Sequence, residues 1–236
     1  MTDEEKFIES LYEEAENELK KVYSQQKESR DELLKEIAMI MLTYTILDGL
    51  MNIKKNDKDE IYKKLSELTI INYKNISNKE VEVLNNILES TVKKTFNFYS
   101  YNADIKHIIE SNFKGKHFSE RVWENENEVA KYLHKQVNNF LNGKINVNQI
   151  KKDIEKTFNT SAYNAKRLVT TEVSRCQNEA FRKLCEETNV KKVKRNAILD
   201  SKTCDDCYPL NGRVYELKDM PQISHPMCRC FYEIYE

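Results

Sequence analysis

The sequence predicts an α+β protein that is predominantly α, with a helical amino-terminal body and a small β unit at the carboxyl terminus. Three observations predict it. The 236 residues include only four Gly and three Pro, about 3% of the chain, against a combined average near 12% for the two residues that punctuate turns. Apolar residues recur at three- and four-residue steps through most of the chain, which is the period of one helix face. After Asn189 that period gives way to short β-branched and aromatic runs broken by Asn211-Gly212.

The elements follow in order. Between Glu4 and Arg30, Phe7, Ile8, Leu11, Tyr12, Ala15, Leu19 and Val22 fall on one stripe with acidic side chains opposite, an amphipathic helix. Asp31–Leu50 is apolar on more sides and predicts a second, deeper helix that stops at Gly49 and Asn52. A short helix is expected over Asp57–Leu68. Ser77-Asn78-Lys79-Glu80 has the spacing of a capping box, Ser accepting from the backbone and Glu reaching back, and predicts the start of a helix running to about Phe98. Helical windows over 102–112, 119–141 and 147–158 precede a long helix from Ser161 to Glu187. Strands are expected over 191–199, 213–217 and 228–235, the second returning from an Asn211-Gly212 hairpin turn. The domain division that results is a helical region over 1–150 and a long helix plus β unit over 151–236.

Composition excludes several function classes. The chain carries no Gly-rich phosphate loop. Its longest uncharged apolar stretch, Ile37–Leu47, has 11 residues, whereas a spanning helix needs about 20. The start, Met1-Thr2-Asp3-Glu4-Glu5, is acidic where a secretory signal is basic and then apolar, so a cytoplasmic origin is expected. The formal net charge of −1 gives no global field for nucleic acid or membrane. One segment departs from this: residues 131–198 carry 15 basic against 6 acidic side chains, a net +9.

The β unit holds four of the six Cys. Cys204-x2-Cys207 is followed after 17 residues by His225-x2-Cys228, with Cys230 two residues on. Two short-spaced pairs of S and N donors are what a closed tetrahedral zinc site asks of a chain, so the expected cofactor is a structural zinc on Cys204, Cys207, His225 and Cys228. Ordinary reduced core cysteines and a redox pair are the competing readings. Disulfides are disfavoured without a secretory signal. Five candidates exceed four positions, and either His225 or Cys230 is the spare. Cys176 and Cys185 read as small core residues of the long helix.

No catalytic constellation accompanies this cluster. His107, His117 and His134 lack the following Glu of a zinc deaminase, and His-Glu-x-x-His is absent. The expectation is a protein that is not an enzyme. On the long helix, Arg167, Thr171 and Arg175 succeed one another at four-residue steps and Glu172 precedes Arg175 by three. The bland reading is a solvated face with weak pairs; the sharper one has Glu172 held by Arg167 or Arg175 and orienting the helix against the β unit.

These residues carry a resemblance. Arg167-x3-Thr171-Glu172, Asn178-Glu179-Ala180, Asp200-x2-Thr203-Cys204-x2-Cys207-x2-Leu210-x-Gly212 and His225-Pro226-x-Cys228-Arg229-Cys230 together resemble the carboxyl-terminal domain of the phage Mu F-like minor head proteins, also called phage head morphogenesis proteins. The resemblance covers about Ser161–Ile234, and its most specific part is the His-Pro-x-Cys-Arg-Cys ending; Thr170 stands where a basic residue is more usual. It implies a minor structural protein of a tailed bacteriophage or prophage, located in the virion head and in the host cytoplasm during assembly. Portal and capsid proteins are its implied partners, and Asp200 and Cys230 join the structural residues. Some relatives carry a toxin domain after this one, which is not expected here because the sequence stops six residues beyond Cys230.

A reading from a different class stands beside it, a zinc-stabilised nucleic-acid-binding module or nuclease-like effector. The feature that favours it is the basic segment, ending in Lys191, Lys192, Lys194 and Arg195, as a non-specific DNA contact.

Overall fold

The computed structural model describes every residue except Met1, Phe113, Lys202 and Ser224. Five helices and five short strands follow one another along the described residues: α1 (Asp3–Thr43), β1 (Ile46–Leu47), β2 (Leu50–Met51), α2 (Lys55–Phe98), α3 (Lys106–Glu110), α4 (Phe118–Leu141), α5 (Val147–Glu187), β3 (Lys192–Asn196), β4 (Val214–Glu216) and β5 (Phe231–Ile234). The predominantly α character and the small carboxyl-terminal sheet are as the sequence predicts.

Three helices are longer than expected. α1, α2 and α5 run for 41, 44 and 41 residues, and each merges two segments that the pattern separates. No Gly or Pro lies inside any of them, so nothing in the backbone stops propagation once a turn has formed. The capping-box reading of Ser77 and Glu80 is overturned. Both lie in mid-helix and are buried, at 0% and 1% exposure. A cap needs the chain to enter the helix there, whereas here the helix arrives already formed from Lys55.

Helix ends coincide with left-handed residues. Gly143 (φ +65°) closes α4: its N–H reaches the Phe140 carbonyl at 3.0 Å and the Lys144 N–H reaches Asn139 at 2.9 Å, the paired bonds of a Schellman ending. Asn189 (φ 57°) ends α5 the same way, through Val190 to Cys185 at 3.0 Å. The expected helix over 31–50 stops at Thr43 instead. Beyond it Asp48 (φ 50°) and Gly49 (φ 78°) form the two-residue turn of a β1–β2 hairpin, with Ile46 opposite Met51 and Leu47 opposite Leu50.

The chain makes two compact units. The first comprises residues 1–19, 82–118 and 166–236, and the second residues 20–81 and 119–165. In the second, Leu33, Leu65, Phe140, Ile150 and Ile154 form the centre of an apolar cluster drawn from α1, α2, α4 and α5. In the first, Phe181, Leu184 and Cys185 of α5 pack with Val193 and Tyr232 of the sheet. That sheet is antiparallel, in the order β4–β3–β5, with Val193 opposite both Tyr215 and Ile234. A division of the chain at residue 150 follows sequence order, whereas the first unit draws on the amino terminus as well. Among the described residues, no helix is long and apolar enough to cross a membrane.

Candidate metal centre

The central strand β3 sets out the site. Leaving β3, the chain turns at Asp200, where the Thr203 hydroxyl accepts from the Asp200 N–H at 2.9 Å and donates to the Ile198 carbonyl at 2.6 Å. Cys204 and Cys207 then form a tight knuckle, because the N–H groups of Cys207 and Tyr208 both return to the Cys204 carbonyl at 3.1 Å. The Asn211-Gly212 turn is present but is not a two-residue hairpin. A 3-10 turn, Tyr208–Leu210, precedes it in place of a strand, and Asn211 (φ −63°, ψ 132°) followed by Gly212 (φ 78°) has type II geometry. Gly212 donates to the Arg195 carbonyl at 2.7 Å and the Asn211 side chain accepts from the Ala197 N–H at 2.9 Å, so this turn latches the knuckle to β3.

The second half of the site is the loop from His225 to Cys228, where Met227 takes φ 61°. The two halves meet. His225 Nε2 lies 3.0 Å from Cys204 Sγ and 3.1 Å from Cys207 Sγ, and Cys207 and Cys228 Sγ are 3.7 Å apart. Donor atoms of Cys204, Cys207 and His225 all lie within 4.8 Å of one another, as do those of Cys207, Cys228 and Cys230. Zinc–sulfur bonds of about 2.3 Å in a tetrahedron put neighbouring sulfurs about 3.8 Å apart, close to the Cys207–Cys228 separation. The donor set fits a metal ion. Cys207, Cys228 and Cys230 are buried, while Cys204 and His225 are half-buried. Burial pushes the Cys207 thiol up to about 11, and the Cys230 thiol is lowered, first by the hydrogen bond from Cys228. Metal capture at neutral pH therefore has to displace protons.

The residues singled out on α5 divide into two tasks. Thr171 donates to the Arg167 carbonyl at 2.7 Å and accepts from the Met227 N–H at 3.1 Å, which seats the His225–Cys228 loop on the helix. Asn178 does the same for the next segment, donating to the Cys230 carbonyl at 3.1 Å and to Ser174 at 2.8 Å. Glu172 is held by Arg175, not Arg167: Nε to Oε2 is 2.7 Å, with side chains 6% and 1% exposed. Arg167 is exposed. The pair is turned to a different purpose from the one expected. Arg175 Nη1 donates to the Ile108 carbonyl at 2.8 Å and Nη2 to the Ile109 carbonyl at 3.4 Å, both in the last turn of α3. Asp200 pairs with Arg229 and ties the first cysteine loop to the second.

The sheet divides the basic run. Lys191 is exposed, Lys192 pairs with Glu236 at 3.0 Å and Lys194 with Glu233 at 2.9 Å. Arg195 is 3% exposed, with Nη2 3.8 Å from Cys207 Sγ, so it belongs to no DNA-facing surface. Strand alternation was the available signal: Arg195 shares a face with Val193, two residues back. Cys176 and Cys185 are fully buried, and burial pushes each thiol up to about 12. The sequence reading missed a second polar cluster, in the other unit. Glu80 of α2 and Glu126 of α4 are each 1% exposed; Ser161 donates to Glu126 at 2.5 Å and accepts from Gln26 at 2.7 Å.

Comparison with known proteins gives one finding. Residues 128–233 match the family model described as Phage Mu protein F like protein, a span that starts within α4, ends in β5 and covers just under half of the chain. No curated protein and no solved structure matches the chain.

Proposed function

We propose that this chain, whose carboxyl-terminal region matches the Phage Mu protein F like family, is a minor structural protein of a tailed phage or prophage head, incorporated through the portal or capsid interior. It acts in head morphogenesis and turns over no substrate. One observation supports this most: Thr171, Asn178, Asp200 and Arg229, residues that carry the resemblance, hold the loops of the Cys/His cluster to α5 and to each other. We read the cluster as a structural zinc clip. Cys204, Cys207, His225 and Cys228 would hold the ion, which supplies a cross-link between two loops and no open position for chemistry.

The DNA-binding or nuclease reading draws on the basic run, and the carboxylate partners of Lys192 and Lys194 weaken it. Particles purified from an induced lysate and analysed by mass spectrometry test the proposal. The chain is expected in the head fraction, and its deletion is expected to lower the yield or infectivity of particles while phage DNA replication continues. Particles that lack the chain and are fully infectious would overturn it.

A further inference from the structure

We propose that the groove between α4 and α5 receives the amino-terminal half of α1 from a second copy of this chain, so that copies associate head to tail. The inference stands apart from the metal reading. The groove lies within the second unit and has a volume of about 270 Å³, lined by Val129 and Tyr132 of α4 and Thr157 and Thr160 of α5. A second concavity on the same face shares Lys156 and Thr160 and adds Lys152 and Tyr163. Tyr132 and Tyr163 are 41% and 57% exposed. Tyrosine rings left in water on a concave face are the usual anchors of a protein contact.

The charges name the occupant. Lys152 and Lys156 lie four residues apart on α5, both exposed, and neither ammonium has an ion pair among the described residues. Like charges at that spacing on a helix repel, so the pair gains from an acidic partner. Of the carboxylates lining the two concavities, Glu128 is taken by Lys131 at 2.7 Å, which leaves the half-buried Glu155 against two lysines. The complement lies in the first unit. Glu9 and Glu13 of α1 have the same four-residue spacing and no ion pair among the described residues, and with Tyr12 they line an open cleft of about 390 Å³. The other acids of that cleft are engaged, Glu16 by Lys166 and Asp200 by Arg229. The cleft therefore carries a surplus of negative charge and the groove a surplus of positive charge, each set out at the period of a helix. Cleft and groove are different surfaces, so the contact is heterologous, and each copy that uses one keeps the other for a further copy. A nucleic-acid backbone suits the groove less, because its phosphates would meet Glu128 and Glu155 beside the lysines.

The test is sedimentation velocity of the full-length protein at about 0.05 and about 0.5 M salt, between which the screening length falls from more than about 10 Å to about 4 Å. Dimers and larger species are expected at the lower salt, and association weaker by about 10-fold or more at the higher. Lys152→Glu with Lys156→Glu, and separately Glu9→Lys with Glu13→Lys, are each expected to weaken association at low salt by about 10-fold or more, with the helical circular dichroism unchanged. Combining all four substitutions restores opposite charges across the contact and is expected to recover the association, which a loss through misfolding would not allow. Wild-type protein that is monomeric at both salts would overturn the proposal, as would association that survives either reversal or that the fourfold variant fails to recover. A monomeric wild type that needs Lys152 and Lys156 to bind duplex DNA would overturn it too and assign the groove to nucleic acid.

Discussion

The two compact units each bury carboxylates to about 1% exposure, and they deal with the charge in different ways. In the first, Glu172 lies against Arg175 at 2.7 Å, and the guanidinium spends its remaining N–H groups on the end of α3. In the second, Glu80 and Glu126 face the interior from α2 and α4. Burial raises their pKa values to about 8 and about 7, and the Glu126 carboxyl, in place of a cation, pushes Glu80 further up. One unit neutralises a buried acid with an opposite charge, the other with a proton. The first arrangement is directional and fixes loops, which suits the unit that assembles the Cys/His cluster from separate segments. The second makes stability depend on pH.

With the proposed zinc bound in the Cys/His cluster, its removal is the sharpest way to separate the units. Chelation, or Cys207→Ser, is expected to melt the chain after about residue 190 while the second unit stays folded, because structural zinc contributes on the order of 10 kcal/mol to a small module. Limited proteolysis with and without chelator reads this directly, and cleavage spread evenly over both units would break the comparison. Arg175→Met comes next. It takes the guanidinium away from the buried Glu172 carboxylate and from the α3 carbonyls, at a cost of about 3–5 kcal/mol in urea unfolding at pH 7; a loss under about 1 kcal/mol would mean that water reaches the pair.

The carboxylate pair of the second unit responds in the opposite sense. Folded-state values above the unfolded one mean that the folded chain holds protons the unfolded chain releases, so stability is complete below about pH 4.5 and falls as pH rises through about 7 to 8. Glu80→Gln is therefore expected to be near neutral at pH 5 and to raise the unfolding midpoint at pH 8.5, by about 1–3 kcal/mol of stability. A parallel pH profile in mutant and wild type would remove the account of a buried, protonated Glu80. The smallest effect belongs to the sheet surface, where Lys194→Ala breaks its pair with Glu233 and is expected to cost less than about 1 kcal/mol, further reduced in salt.

What the sequence made legible was whatever is written at short range. The Cys-x2-Cys and His-x2-Cys pairs are local spacings, and the structure brings His225 to within 3.1 Å of both cysteines of the first pair. The polypeptide between them is a turn-rich stretch in which Pro and Gly announce each bend. The failures arose where one local pattern serves two tertiary outcomes. Ser77 and Glu80 have the spacing of a cap, but the same spacing puts both on one face of a continuing helix, and only burial tells the two apart. Asp48-Gly49 reads as a helix stop or as a hairpin turn, and the apolar pairs flanking it decide for the hairpin. Lys191–Arg195 was read as a charge run, although in a strand the sum of charges matters less than the alternation. Glu126 gave no signal at all, because its partner Ser161, and Gln26 behind Ser161, come from elements distant in sequence.

The family match and the compact unit have different borders. The matched span runs over 128–233, whereas the unit that contains the Cys/His cluster takes in residues 1–19 and 82–118 as well. A fragment excised at the family borders would leave behind Ile8, Leu11, Leu88 and Val92, all at most 2% exposed in that same unit, and would keep the later part of α4 and the first half of α5, which belong to the other. The portion that evolution copies from protein to protein is here not the portion that can be cut out and expected to fold, and any domain exchange with this protein has to carry its amino terminus along.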